Sequence, residues 1–119
     1  MNIKINNEQM LSLAQRQLDA YNLRDLNIFC DCYHVEVEVR KIVNNTLVSK
    51  GIDDFRTSYK NFFETNINLN CLLKSRIVVN DLVIDEEIVS GIVSRPGLIH
   101  AVAIYGFRDN LIDRVWFVK

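Results

Sequence analysis

The C-terminal part of this chain carries apolar groups on both faces of its strands, and that limits the possible folds more than any other feature. From about Leu98 to Phe107 the odd positions are Ile99, Ala101, Ala103, Tyr105 and Phe107; the even ones are Leu98, His100, Val102, Ile104 and Gly106. After a turn signal at Asp109-Asn110, the run Leu111 to Val118 follows. Successive strand residues point to opposite sides, so a strand that is apolar on both sides needs cover on both. The helical segments upstream suffice for one side only. A second cover, another copy of the chain, is therefore expected, with a cavity between sheet and helices.

The upstream segments read as follows. Asn6 or Asn7 can cap a first helix, with Gln9 placed as in a capping box. Met10, Ala14, Leu18 and Tyr21 then mark one helical face. Asp25 can cap a short second helix whose Leu26, Phe29, Cys30 and Tyr33 share a face. The period then changes: Val35, Val37 and Val39 alternate with Glu36, Glu38 and Arg40, as in a half-buried strand. Asn44-Asn45 predicts a hairpin turn, Thr46 to Ser49 a return strand, and Gly51 precedes a third helix with Ile52, Phe55, Tyr59 and Phe62 or Phe63 inward. Long strands are predicted at about Leu69–Val79, Leu82–Val93, Leu98–Phe107 and Leu111–Val118, with turns at Asn80-Asp81, Arg95-Pro96-Gly97 and Asp109-Asn110. Helices followed by a strongly curved, antiparallel or mixed sheet make an α+β fold, one domain over residues 1–119.

Composition narrows the function. With 14 basic and 15 acidic residues and no basic stripe, no nucleic-acid partner is expected. No apolar stretch approaches the ~20 residues needed to span a bilayer, so no membrane role is expected. The N-terminus, Met1-Asn2-Ile3-Lys4, is polar and shows no leader pattern. Cys30, Cys32 and Cys71 are odd in number and lack framework spacing, which points to a reducing, cytoplasmic setting. With helices on one sheet face, Val102, Ile104 and Trp116 would form a water-facing apolar patch on the other, beside His100 and Arg114. A two-fold homodimer through that face is the economical solution.

The segment Leu18-Asp19-Ala20-Tyr21-Asn22-Leu23-Arg24-Asp25, followed by Phe29, Tyr33 and Val35-Glu36-Val37-Glu38-Val39, resembles the opening of the nuclear transport factor 2-like superfamily, in its SnoaL-like or ketosteroid-isomerase-like branch. Val48-Ser49-Lys50-Gly51 before an aromatic helix fits this, as do Ala103-Ile104-Tyr105, Asp109-Asn110-Leu111-Ile112 and Arg114-Val115-Trp116-Phe117. The resemblance implies a conical, cystatin-like α+β fold, commonly dimeric, with an apolar pocket at its wide end. It implies isomerases, cyclases, dehydratases and transport factors alike, so it carries fold rather than function. Three catalytic groups of the isomerase branch are replaced: Gln17 stands at the oxyanion-donating tyrosine, Lys41 at or beside the carboxylate base, and Ala103 at the protonated aspartate. Two supporting tyrosines persist, as Tyr33 and Tyr59.

Lys41 shares parity with Val35, Val37 and Val39, so in a regular strand it points into the pocket, where a desolvated amine can act as base or nucleophile. The plainer alternative is a lysine leaving the strand end with its ammonium in water. His34, Glu36 and Glu38 alternate and can face one way, as metal ligands do, but so does the wet face of any half-buried strand; no metal and no cofactor are expected. Cys30 and Cys32 read as core. The aromatic set Tyr21, Tyr33, Tyr59, Phe63, Tyr105 and Phe117 either lines a pocket or is plain core. Ala101 and Ala103 leave room for a pocket, and Gln17, Tyr33 and Tyr59 can supply its polar groups. Three functions fit: a dimeric module binding a small, mostly apolar molecule, an enzyme of the same scaffold using Lys41, a tyrosine or Glu38, or a protein-interaction module.

Overall fold

The computed structural model describes residues 5–119. The expectation about a leader concerns residues 1–4, which lie outside them. Asn6 caps the first helix, α1 (Asn7–Leu23): Gln9 N donates to Asn6 Oδ1 at 2.8 Å and Asn6 N to Gln9 Oε1 at 3.1 Å, a complete capping box. Arg24 ends α1 in the left-handed conformation, and Asp25 caps α2 (Leu26–Asp31) by accepting from Ile28 N. Tyr33 does not belong to α2, as its spacing predicted; it opens strand β1 (Tyr33–Lys41). A single 3₁₀ turn at Val43–Asn45 leads to β2 (Leu47–Lys50), then to α3 (Ile52–Thr65) and to four strands, β3 (Asn70–Val79), β4 (Leu82–Ser90), β5 (Ile99–Arg108) and β6 (Leu111–Val118).

The six strands form one sheet in the order β2-β1-β6-β5-β4-β3. All pairs are antiparallel except β1 with β6, so the sheet is mixed and the fold is α+β, with the three helices packed on the sheet. Two-residue turns fix the hairpin registers: Val79 pairs Leu82 across Asn80-Asp81, and Arg108 pairs Leu111 across Asp109-Asn110. Asn80, Asp109 and Asn110 take the positive φ that such turns require. β4 stops at Ser90, short of the Val93 its apolar run predicted. Gly91 turns the chain there at φ +81°, and a Cβ on it would lie 2.0 Å from the Asn68 carbonyl oxygen. Asn66 braces this corner, accepting from Val93 N at 2.8 Å.

The register decides which side of each strand meets the helices. Ile99, Ala101, Ala103 and Tyr105 of β5 are buried, as are Val83 and Val89 of β4, Val37 and Val39 of β1, and Ile112 and Val115 of β6. An aromatic cluster fills the space below α1–α3, centred on Phe29, which stacks on Phe55 at 5.5 Å and meets Tyr59 at 4.7 Å and Tyr33 at 5.1 Å. Val35 breaks the predicted alternation: it is 63% exposed, because the β1–β6 pairing is irregular between Tyr33 and Glu38. Cys30, Cys32 and Cys71 are free and buried. Among the described residues no helix is long and apolar enough to cross a membrane.

Candidate functional site

Between the sheet and helices α1 and α3 lies a cavity of about 230 Å³. α1 contributes Gln17, Leu18 and Tyr21, and α3 contributes Ser58, Tyr59 and Phe62. The floor comes from Val39, Glu87, Val89, Ala101, Ala103, Tyr105, Val115 and Phe117, and the margins from Val48, Ser49, Cys71 and Lys119. Filled as densely as a ~150 Å³ cavity that takes benzene, this space holds a molecule of roughly nine non-hydrogen atoms.

Gln17 organises one wall. It accepts from the Tyr33 hydroxyl at 2.9 Å and donates through Nε2 to the Tyr105 hydroxyl at 3.1 Å and to the Ala14 carbonyl at 3.0 Å. All four tyrosines have their hydroxyl pKa pushed up, chiefly by burial, so they remain protonated donors at neutral pH. The hydroxyls of Tyr21 and Tyr59 make no hydrogen bond to another described residue.

Eight of the ten residues expected from the sequence line this cavity: Gln17, Tyr21, Tyr33, Tyr59, Ala101, Ala103, Tyr105 and Phe117. Lys41 does not, which corrects its assignment. It keeps the parity of Val39 and pairs with Phe117, but it is the last residue of β1 and exposed, beyond the cavity's edge. Phe63 is the second correction. It is buried in the aromatic cluster, 5.6 Å from Tyr21, and its neighbour Phe62 lines the cavity instead. The remaining candidates are scattered. His34 meets Asp109 at 3.3 Å and Arg108 at 3.1 Å, Glu36 pairs with Arg108, and Glu38 with Arg40 at 3.4 Å. His100 lies on the opposite sheet face, bonded to Glu86 at 2.6 Å.

Sequence reasoning missed the one acidic side chain that lines the cavity among the described residues. Glu87 is 8% exposed, and its carboxyl pKa is pushed up to about 7, first by burial and then by neighbouring Asp85, against the lowering influence of Cys71, Lys119 and Arg76. Asp85 is fully buried but already neutralised. Arg76 clasps it with Nε–Oδ1 at 2.6 Å and Nη2–Oδ2 at 2.9 Å, and reaches Gln15 with its other nitrogen. Glu87 has no ion pair of that kind among the described residues. The Cys71 thiol hydrogen-bonds to it and is itself raised beyond reactivity. Lys119, also missed, places its ammonium 5.2 Å from the Phe62 ring centre and 5.5 Å from that of Phe117.

The periodicity of β4 hid Glu87. Leu82, Ile84 and Ile88 make the even positions look like the core face, yet Val83, Asp85, Glu87 and Val89 are the buried set. The usable signal was register: the two-residue turns and the β4–β5 pairing set Glu87 opposite Ala101 and Asp85 opposite Ala103.

These features meet in one chemical unit: apolar and aromatic walls, protonated hydroxyls, and one acid that is half ionised near neutrality. Residues 14–115 match the SnoaL-like domain family. The chain belongs to that family. No curated protein matches the sequence. Solved structures share its fold at low identity. An uncharacterised cystatin-fold protein from Novosphingobium aromaticivorans is 20% identical with a TM-score of 0.83, covering 92% of this chain and 97% of that one. TsrD from Streptomyces laurentii is 22% identical with a TM-score of 0.76, covering 96% and 90%. A hypothetical protein of ketosteroid isomerase-like fold from Catenulispora acidiphila, in complex with trimethylamine, is 11% identical with a TM-score of 0.73, covering 90% and 84%. At these identities the likeness concerns the fold.

Proposed function

We propose that this SnoaL-like domain binds a small, mostly apolar molecule in the cavity, with the molecule's polar end met by Glu87 and the tyrosine hydroxyls. The carrying observation is Glu87 itself: a carboxyl group buried in an apolar cavity wall without an ion-pair partner among the described residues. The Cys71 thiol hydrogen-bonds to this carboxyl but brings no charge, and a buried carboxylate is costly without a close cation or further donors, which the polar end of a bound molecule supplies. The trimethylamine complex of the Catenulispora neighbour supports a small organic occupant for this fold. Native mass spectrometry of gently purified protein tests the reading. A discrete added mass that leaves on denaturation, and is lost in Ala101→Leu, is expected; an empty protein that also ignores added small molecules would refute it.

Proton transfer on the same scaffold is the second reading, favoured by the elevated Glu87 pKa. A group that titrates near the working pH suits general acid–base catalysis. Glu87 takes that role in place of Lys41, and the groups of the isomerase branch remain replaced by Gln17 and Ala103. If an activity is found, Glu87→Gln is expected to abolish it while ligand binding persists.

The outer sheet face supports the homodimer. Ile104 lies between Ile84 and Trp116, Val102 pairs with Val118, and Ile77 and Val79 of β3 are exposed on the same sheet. His100 and Arg114 sit among them as polar groups. Three buried free thiols suit a reducing, cytoplasmic compartment.

A further inference from the structure

We propose that the cavity selects protonated amines: a small organic cation with an apolar body, its ammonium lodged between Glu87 and the aromatic walls. The proposal rests on the cavity being a ligand site and adds the charge of the ligand.

Three observations converge on it. The first is the uneven treatment of two neighbouring acids. Asp85 and Glu87 lie on the same side of β4, and Arg76 neutralises Asp85 through two short contacts, whereas Glu87 has no cation within ion-pair distance among the described residues. Once ionised, Glu87 has a hydrogen bond from the Cys71 thiol and only the longer-range influence of Lys119 and Arg76, and a ligand cation supplies the close partner it lacks. The second is the lining opposite it. Tyr21, Tyr59, Phe62 and Phe117 surround the space, and aromatic rings attract ammonium groups more strongly when water is excluded. The third is that the cavity margin already holds such a group. The Lys119 ammonium bridges Phe62 and Phe117 at 5.2 and 5.5 Å from the ring centres, showing that these two rings accept a cation. A ligand ammonium deeper in the cavity would find the same rings and the carboxylate as well. An anionic ligand would meet Glu87 as a like charge.

The charge on Glu87 sets the pH dependence. The groups that influence it are Asp85 on its own strand, Cys71 and Arg76 on β3, and Lys119 beyond β6; it acts in turn on Tyr21 of α1, Tyr59 of α3, Tyr33 of β1 and Tyr105 of β5. The tyrosines and Cys71 are raised and stay neutral below about pH 8. Glu87, with its carboxyl at about 7, changes charge within the neutral range. Amine affinity should therefore rise from about pH 6 to about pH 8, while the affinity of a neutral ligand should fall or stay level.

Three compounds of one shape and nine non-hydrogen atoms separate the possibilities by calorimetric titration: N,N-dimethylcyclohexylamine as the cation, 1-cyclohexylethanol as the neutral form, and cyclohexanecarboxylate as the anion. At about pH 8 the amine is expected to bind at least about tenfold more tightly than the alcohol, and the carboxylate most weakly. Lys119→Met, which removes the competing cation, should tighten amine binding. Glu87→Gln should erase the preference while the alcohol still binds. If that variant fails to fold, the wild-type series and its pH dependence decide alone. An alcohol that binds as well as the amine, or a carboxylate that binds best, would overturn the inference and leave the pocket standing. Failure of all three to bind would overturn the pocket reading, and this inference with it.

Discussion

Replacing Glu87 by Gln should change how the stability of this protein depends on pH, and by a calculable amount. The side chain keeps its shape but loses its charge. In the folded protein the Glu87 carboxyl holds its proton up to about pH 7, against an ordinary value of 4.5. The folded state therefore binds more protons than the unfolded chain between those two values, and stability falls as pH rises through that window. At about 1.4 kcal/mol per unit, the loss attributable to this one group is roughly 3 kcal/mol, most of it between about pH 5 and pH 8. Gln does not titrate. The stability of Glu87→Gln relative to wild type should thus improve by about 2–3 kcal/mol from about pH 5 to about pH 8, which isolates Glu87 from every other titrating group. Urea unfolding of both proteins over that range measures it. A stability difference that stays flat with pH would refute the reasoning, because it would mean that Glu87 titrates alike in both states.

Other consequences follow from the same geometry. Arg76→Met removes one partner of a buried ion pair and leaves Asp85 uncompensated; a loss of about 3 kcal/mol is expected in urea unfolding. Gly91→Ala drives a Cβ to 2.0 Å from the Asn68 carbonyl oxygen, whereas at Gly97 a Cβ meets nothing within 4 Å. Both sites have positive φ, so thermal unfolding should show about 1 kcal/mol lost for Gly97→Ala and clearly more, above about 2 kcal/mol, for Gly91→Ala. Trp116→Glu places a charge at the centre of the outer sheet face; if the proposed homodimer forms through that face, light scattering after size-exclusion chromatography should find a dimer for the wild type and a monomer for the variant.

The order of elements was legible because local signals carried it. Asn6 and Gln9 announced the first helix, and the asparagine and aspartate turns announced the hairpins. Ala101, Ala103 and Tyr105 marked the cavity side of β5 because small residues in mid-strand stand out. What was not legible depended on position along a strand or on pairing between strands. Lys41 has the parity of a pocket residue, but parity says nothing of depth, and the strand ends there. Val35 lost its place in the core to an irregularity in the β1–β6 ladder, a contact between segments far apart in sequence. Glu87 was hidden by the stronger apolar content of the opposite face of β4, whose Leu82, Ile84 and Ile88 belong to the outer sheet surface. An outer face that is itself rich in apolar residues mimics a core, and periodicity cannot tell the two apart.

The most direct measurement is a nuclear magnetic resonance titration of the Glu87 side-chain carboxyl, run with and without N,N-dimethylcyclohexylamine. The account predicts a midpoint of about 7 in the free protein and a clear fall when the amine is bound, since a neighbouring ammonium favours the carboxylate. A midpoint near the ordinary 4.5 that does not respond to the amine would contradict it: Glu87 would then be neither desolvated by the cavity nor in contact with what enters it.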